Sequence, residues 1–165
     1  MLNDIEQATA RLLETAGRFT DADLRQPSLL PGWSRAYVLA HLARGGEALR
    51  NILVDEPPYA SRQARNADIE AGSDRTAAEL VGDVAATAEA FRATVLGVPP
   101  ERWDDVVSVP GVDPFPRSQV LLRRLTELEL HHVDLDAGYT AADWPPSFAG
   151  LDMPEPLRSW RADRG

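Results

Sequence analysis

The stretch Leu125–Gly138, LTELELHHVDLDAG, decides how this chain is read. It has the pattern of a helix and places Glu127 and His131 four residues apart, so that both side chains leave one face and can reach a common ion. A third donor must come from elsewhere. Only three histidines are present, His41, His131 and His132, and His41 lies in a second helical pattern whose inward positions are Tyr37, His41, Gly45, Ala48 and Ile52. Two imidazoles and a carboxylate around an open fourth position form a ligand set of catalytic rather than structural zinc.

The phase of the same helix points another way. Leu121, Leu125, Leu128, His132 and Leu135 mark the centre of its apolar stripe, and Glu127 and His131 fall on its flank, roughly 100° around. Periodicity alone turns His132 inward as a histidine packed in a bundle. It leaves Glu127 and His131 as half of a metal site or as a surface pair worth about 0.2–0.5 kcal/mol. His41 reads equally as a ligand or as a core histidine with one satisfied hydrogen bond.

Outward from this stretch, Ser118 is the expected N-cap and the helix is read to about Ala137, with Gly138 as its terminator. Thr76-Ala77-Ala78-Glu79 is a capping box, and Leu80, Val81, Val84, Ala88, Phe91 and Val95 follow at helical spacing until Gly97 and two prolines. Ser34 caps a helix over Arg35–Leu53, with Trp33 placed to staple onto Val38 and with Gly45 and Gly46 leaving space beside His41. The first helix runs from Asn3 or Asp4 to about Phe19, and a short turn follows at Asp21–Leu24. The expected fold is therefore all-α, a four-helix bundle over residues 1–140, with a tail over 141–165 that carries a short helix near Glu155–Arg161 and a loose end.

Asp55–Arg75 shows no clear period. About twenty extended residues span roughly 60 Å, enough to return the chain to the start of the second helix, so an up-down-down-up order is open to it. Within this connection Arg62, Arg65 and Asn66 are groups that can reach over a pocket, or else belong to a solvated loop. Val106–Val109, bounded by Pro110, Gly111, Pro114 and Pro116, reads as a connection and not as a sheet.

Composition narrows the function. A chain of 165 residues suits one domain. With 26 acids against 17 bases and a net charge of −9, and with no basic patch, it repels nucleic acid. All 17 basic residues are arginine, so the presence of an arginine discriminates nothing. The absence of cysteine excludes disulfides, thiolate ligands and a cysteine nucleophile, so any thiol chemistry must borrow its sulfur. No leader pattern or membrane span is apparent, and the expectation is a soluble, cytoplasmic monomer or homodimer acting on a small molecule.

Three segments, PGWSRAYVLAHLA (31–43), ARNADIEAGS (64–73) and TELELHHVDLDAG (126–138), together resemble the mycothiol-dependent maleylpyruvate isomerase N-terminal family, within the wider DinB-like group of metal-binding four-helix bundles. The resemblance covers residues 1 to 150. It implies His41, Glu127 and His131 as ligands of a divalent metal, zinc first, against the phase that favours His132. It further implies mycothiol as a thiol cosubstrate, used as the nucleophile in cis–trans isomerisation of a maleylpyruvate-type electrophile or in S-transfer. Arg65, with Arg62, Arg35 or Asn66, would hold the substrate. A metal-dependent hydrolase and a non-catalytic ligand-binding bundle are the alternatives. Full-length isomerases of the family continue into a C-terminal α/β domain, whereas this sequence stops at Gly165.

Overall fold

A computed structural model describes residues 1–109 and 111–165. Four long helices form the body, α1 (Leu2–Ala16), α3 (Arg35–Leu53), α5 (Ala77–Gly97) and α6 (Gln119–Asp134). Short helices α2 (Asp21–Leu24) and α4 (Arg62–Ser73) lie between them, a hairpin of β1 (Val106–Val109) and β2 (Val112–Pro116) precedes α6, and α7 (Pro146–Ala149) and α8 (Leu157–Ala162) follow it. Among the described residues, no helix is long and apolar enough to cross a membrane.

The helix starts follow from local chemistry. The Ser34 hydroxyl accepts the Tyr37 N–H, and Thr76 and Glu79 cap each other reciprocally. Each such cap is worth about 1 kcal/mol. Behind the caps, Ile5 and Leu12 of α1, Leu39 and Leu42 of α3, Leu80 and Phe91 of α5, and Leu125 and Leu128 of α6 are buried together as one core.

Side-chain pairs give the helix directions. Glu6 bonds Arg92, so the start of α1 meets the end of α5. Arg11 with Glu129 and Thr15 with His132 set α1 parallel to α6. Arg124 on Leu42 O and Arg35 on Leu135 O set α6 antiparallel to α3, and the Ala77 N–H at the start of α5 donates to Asp21 just beyond α1, so α5 opposes α1 and runs the same way as α3, which it meets at Arg44 and Asp83. The bundle is thus up-down-down-up, as expected.

The chain makes its return differently from the sequence reading. Residues 62 to 73 form α4, capped by Ser61 on the Ala64 N–H, and α4 runs back along α3 until Gly72 lies against Ala40. It buries only Ile69 and Gly72, which is too little apolar signal to show a period. The reading of Val106–Val109 as mere connection is also corrected. The strand pairs antiparallel with β2, Val107 opposite Phe115, around Gly111 at φ +80°. Pro114 and Pro116 argued against a sheet, yet in a two-stranded ribbon each strand keeps a free edge where a missing N–H costs nothing. Pro110 lies outside the described residues.

Helix ends differ as well. α1 stops at Ala16 rather than Phe19, and the Ser118 hydroxyl makes no capping bond. α6 ends at Asp134, followed by Asp136 in the left-handed region at φ 51°, while Gly138 turns the chain two residues later. The end of the tail is docked rather than loose. The Arg164 guanidinium donates from Nε to Asp134 Oδ1 at 2.9 Å and from Nη2 to Oδ2 at 3.0 Å.

Candidate metal centre

Two faces of α3 divide the labour. Val38, Leu39 and Leu42 enter the core, and the stripe of His41, Gly45 and Ala48 lines a cavity, with Ile52 at the edge of both. α6 runs alongside, with Glu127 on the wall of that cavity and His131, one turn on, on the wall of a neighbouring one. His41 Nε2 lies 3.0 Å and His131 Nε2 3.2 Å from the same atom, Glu127 Oε2. One ligand atom from each of the three residues falls within 4.8 Å of the others. The imidazoles meet edge to face at 4.7 Å, and Trp33 packs on both, edge-on to His41 at 5.2 Å and stacked with His131 at 6.3 Å.

A second layer of residues orients this cluster. Asp134 Oδ2 lies 2.8 Å from His131 Nδ1, and Arg164 in turn holds both oxygens of Asp134. With Nδ1–H given to Asp134, Nε2 is the nitrogen that faces Glu127. That is the carboxylate–histidine arrangement which fixes a metal-binding tautomer. His41 is held the opposite way. Arg65 Nη2 approaches its Nδ1 at 2.9 Å, and because a guanidinium only donates, Nδ1 accepts and Nε2 carries the proton.

Protonation follows from these contacts. Burial opposes charge on His131, but hydrogen bonds to Asp134 and Glu127 outweigh it and push its pKa up to about 9. Burial dominates at His41 and lowers its pKa against the pull of Glu127. Burial would raise Glu127, yet its hydrogen bonds to His131 and His41 hold it well below the usual carboxylate range. The donor set fits a divalent cation. His131 already presents the required nitrogen once it loses its proton, and His41 must exchange tautomers and release Arg65.

Glu127 borders two cavities. One, of about 400 Å3, has Leu30, Trp33, Leu130 and His131 on its walls. The other, of about 150 Å3, is lined by His41, Gly45, Arg65, Phe115 and Arg123. Trp160 of α8 borders both. Gly45 leaves open space here, whereas the space at Gly46 is occupied by the buried Arg124 guanidinium, so only the first glycine makes room beside His41.

The other candidate residues separate. Arg65 lines the smaller cavity and donates to Asn66 Oδ1 at 3.2 Å. Asn66 itself is exposed and reaches the cluster only through Arg65. Arg62 lies at Gly111 of the hairpin, against a different cavity. Arg35 is not free for a substrate, because it donates to Leu135 O and Asp136 O and so satisfies carbonyls at the end of α6. His132 faces α1, bonded to Thr15 and stacked 3.8 Å from Tyr139.

Sequence reasoning assigned no role to Asp134, Arg164, Trp160 or Arg123. Asp134 had a local signal, three residues after His131 on one helix face; the other three depend on where the tail and the hairpin fold.

No curated protein matches the chain. It superposes on the crystal structure of mycothiol-dependent maleylpyruvate isomerase with a TM-score of 0.84 at 26% identity, and on a histidine-to-alanine mutant of that enzyme with 0.83 at 25%. Each alignment covers 89% of this chain and 64% of the other, so the chain spans just under two thirds of those relatives. The family model for the mycothiol maleylpyruvate isomerase N-terminal domain matches residues 5–136, a span holding all four long helices except the first few residues of α1. On that match the chain belongs to the mycothiol maleylpyruvate isomerase N-terminal domain family.

Proposed function

We propose that this chain is the metal-binding bundle of a thiol-dependent isomerase, with His41, Glu127 and His131 as ligands, mycothiol as the thiol and a maleylpyruvate-type cis alkene as substrate. The observation that carries the reading is the convergence of those three side chains between two adjoining cavities, His41 on the wall of one, His131 on the wall of the other and Glu127 on both. Family membership and the titles of the solved relatives support it. Zinc suits two nitrogens and one oxygen with a fourth position open. When bound, such an ion supplies the positive charge that turns a thiol into a thiolate near neutral pH.

The chain's own residues do the rest. Asp134 fixes the His131 ring, and Arg164 fixes Asp134. Trp33 and Trp160 wall the cavities with apolar surface, which keeps water from a nucleophilic sulfur. Arg65, once released from His41, offers its fork to a substrate carboxylate. The sulfur must come from the cosubstrate, since the chain has no cysteine. It adds to one alkene carbon, the adduct turns about the resulting single bond, and elimination returns the thiolate and the trans alkene, so no thiol is consumed. Capture of the adduct gives S-transfer instead. A free thiol cosubstrate places the reaction in a reducing cytoplasm.

Ion analysis of the purified chain, joined to an assay of maleylpyruvate loss with and without mycothiol, tests this. Bound ion and thiol-dependent turnover are expected in the wild type, and neither in His41→Ala or Glu127→Gln. Unchanged turnover in His41→Ala would remove the reading, and turnover without thiol would replace it with hydrolysis by metal-activated water.

A further inference from the structure

Beyond His41 and Glu127, the wall of the smaller cavity is apolar except for Tyr59 and two guanidiniums, Arg65 from α4 and Arg123 from α6. Among the described residues neither guanidinium has a carboxylate partner. Arg65 donates to the neutral groups Asn66 and His41. Arg123 lies 4.1 Å over the centroid of the Phe115 ring, and its Nε is buried without an acceptor.

Several other inner arginines of this chain each hold a carboxylate, whereas Arg124, sealed in the core, has only the Leu42 carbonyl. Arg11 holds Glu129, Arg44 holds Asp83, Arg117 holds Asp55 and Arg164 holds Asp134. A half-buried guanidinium without an acceptor pays for desolvation with nothing in return unless a ligand completes it. Glu127, the carboxylate on this wall, is already claimed by two imidazoles.

We infer that Arg123 is a substrate-anchoring residue which, together with Arg65, makes this cavity a receptor for a small dicarboxylate, one carboxylate to each guanidinium. The inference deepens the proposed function and rests on its reading of this cavity as the substrate side of the cluster. Phe115 supports Arg123 by its ring face, which leaves the edge of the fork free for bidentate pairing. A bound carboxylate also gives Arg65 the acceptor that it otherwise finds on His41. Room for the ligand comes from Gly45, where an added Cβ would meet nothing within 4 Å.

Calorimetric titration with maleate and with its monoamide, maleamate, tests the inference without added thiol. The protein is used as purified, and its ion content is measured alongside. Wild type is expected to bind maleate about tenfold or more tighter than maleamate. Arg123→Met and Arg65→Met are each expected to weaken maleate by about tenfold and to erase the preference, with Arg123→Lys recovering part of it. Ion content should not change in Arg123→Met. Should that variant fail to fold, Arg123→Gln and Arg123→Lys carry the same comparison. Maleate binding to the folded Arg123 variants at wild-type strength would overturn the inference, as would a wild type that binds no maleate or does not distinguish it from maleamate. The reaction is read separately. Arg123-dependent maleate binding without thiol-dependent turnover would count against the reaction alone, and turnover with Arg123-independent binding against the anchor alone.

Discussion

α6 carries a charged cluster on each of two flanks, and the two are built to different ends. Toward α1, Glu129 accepts Arg11 Nη2 on one oxygen and the Tyr139 hydroxyl on the other, each at 2.6 Å. Its neighbour His132 is sealed between Thr15 and Tyr139. Toward α3, two imidazoles converge on the single atom Glu127 Oε2 beside a pair of cavities. The first cluster occupies both oxygens of its carboxylate and so acts as structure. The second leaves donors pointed at one place, which is what a ligand site requires. Adjacent histidines record the difference. Burial lowers His132 to about 4, helped by the Arg11 charge, whereas the carboxylates beside His131 overcome its burial and raise it to about 9.

The closed cluster should break hardest. Glu129→Ala strands Arg11 and the Tyr139 hydroxyl and is expected to cost about 3 kcal/mol of folding stability by urea unfolding, with ion uptake unchanged. Glu127→Gln should do the reverse, abolishing ion uptake at a smaller cost in stability. Next in size, Asp134→Asn releases His131 from its orienting carboxylate and is expected to weaken the ion about 10–100-fold in chelator competition. The same change weakens the Arg164 anchor, so limited proteolysis should reach the tail sooner.

Ion-free protein should show opposite pH dependences for the two histidines. The raised pKa of His131 means that its contribution is full below about pH 6.5 and is lost as pH rises through about 9. The depressed pKa of His132 means that its contribution is full above about pH 6.5 and is lost as pH falls toward about 4. Unfolding midpoints against pH should lose the alkaline arm in His131→Gln and the acidic arm in His132→Gln. The smallest effect is at the cavity floor. Gly45→Ala is expected to stabilise by about 0.5–1 kcal/mol through helix propensity while shrinking the space for a ligand.

Much of this was legible from local chemistry. The Ser34 and Thr76 caps placed α3 and α5 correctly, with Arg35–Leu53 matching to the residue, because capping depends on neighbours in sequence. α4 was missed because a helix that buries Ile69 and one glycine has almost no apolar period, and the hairpin because its prolines mask an edge ribbon. For the cluster, spacing favoured His131, which has Glu127 four residues before it where His132 has Leu128, while the phase of α6 correctly turned His132 into the bundle. What decides between them is which neighbour each flank meets, α3 or α1. Arg123, Arg164 and Trp160 were illegible for the same reason: their positions matter only after the hairpin and the tail have closed over the cavity.

Titration of ion-free wild type, His131→Gln and His132→Gln with zinc tests the comparison most directly. Stoichiometric binding is expected in the wild type and in His132→Gln, with none in His131→Gln. Wild-type binding by His131→Gln, or its loss in His132→Gln, would contradict the assignment of the two flanks.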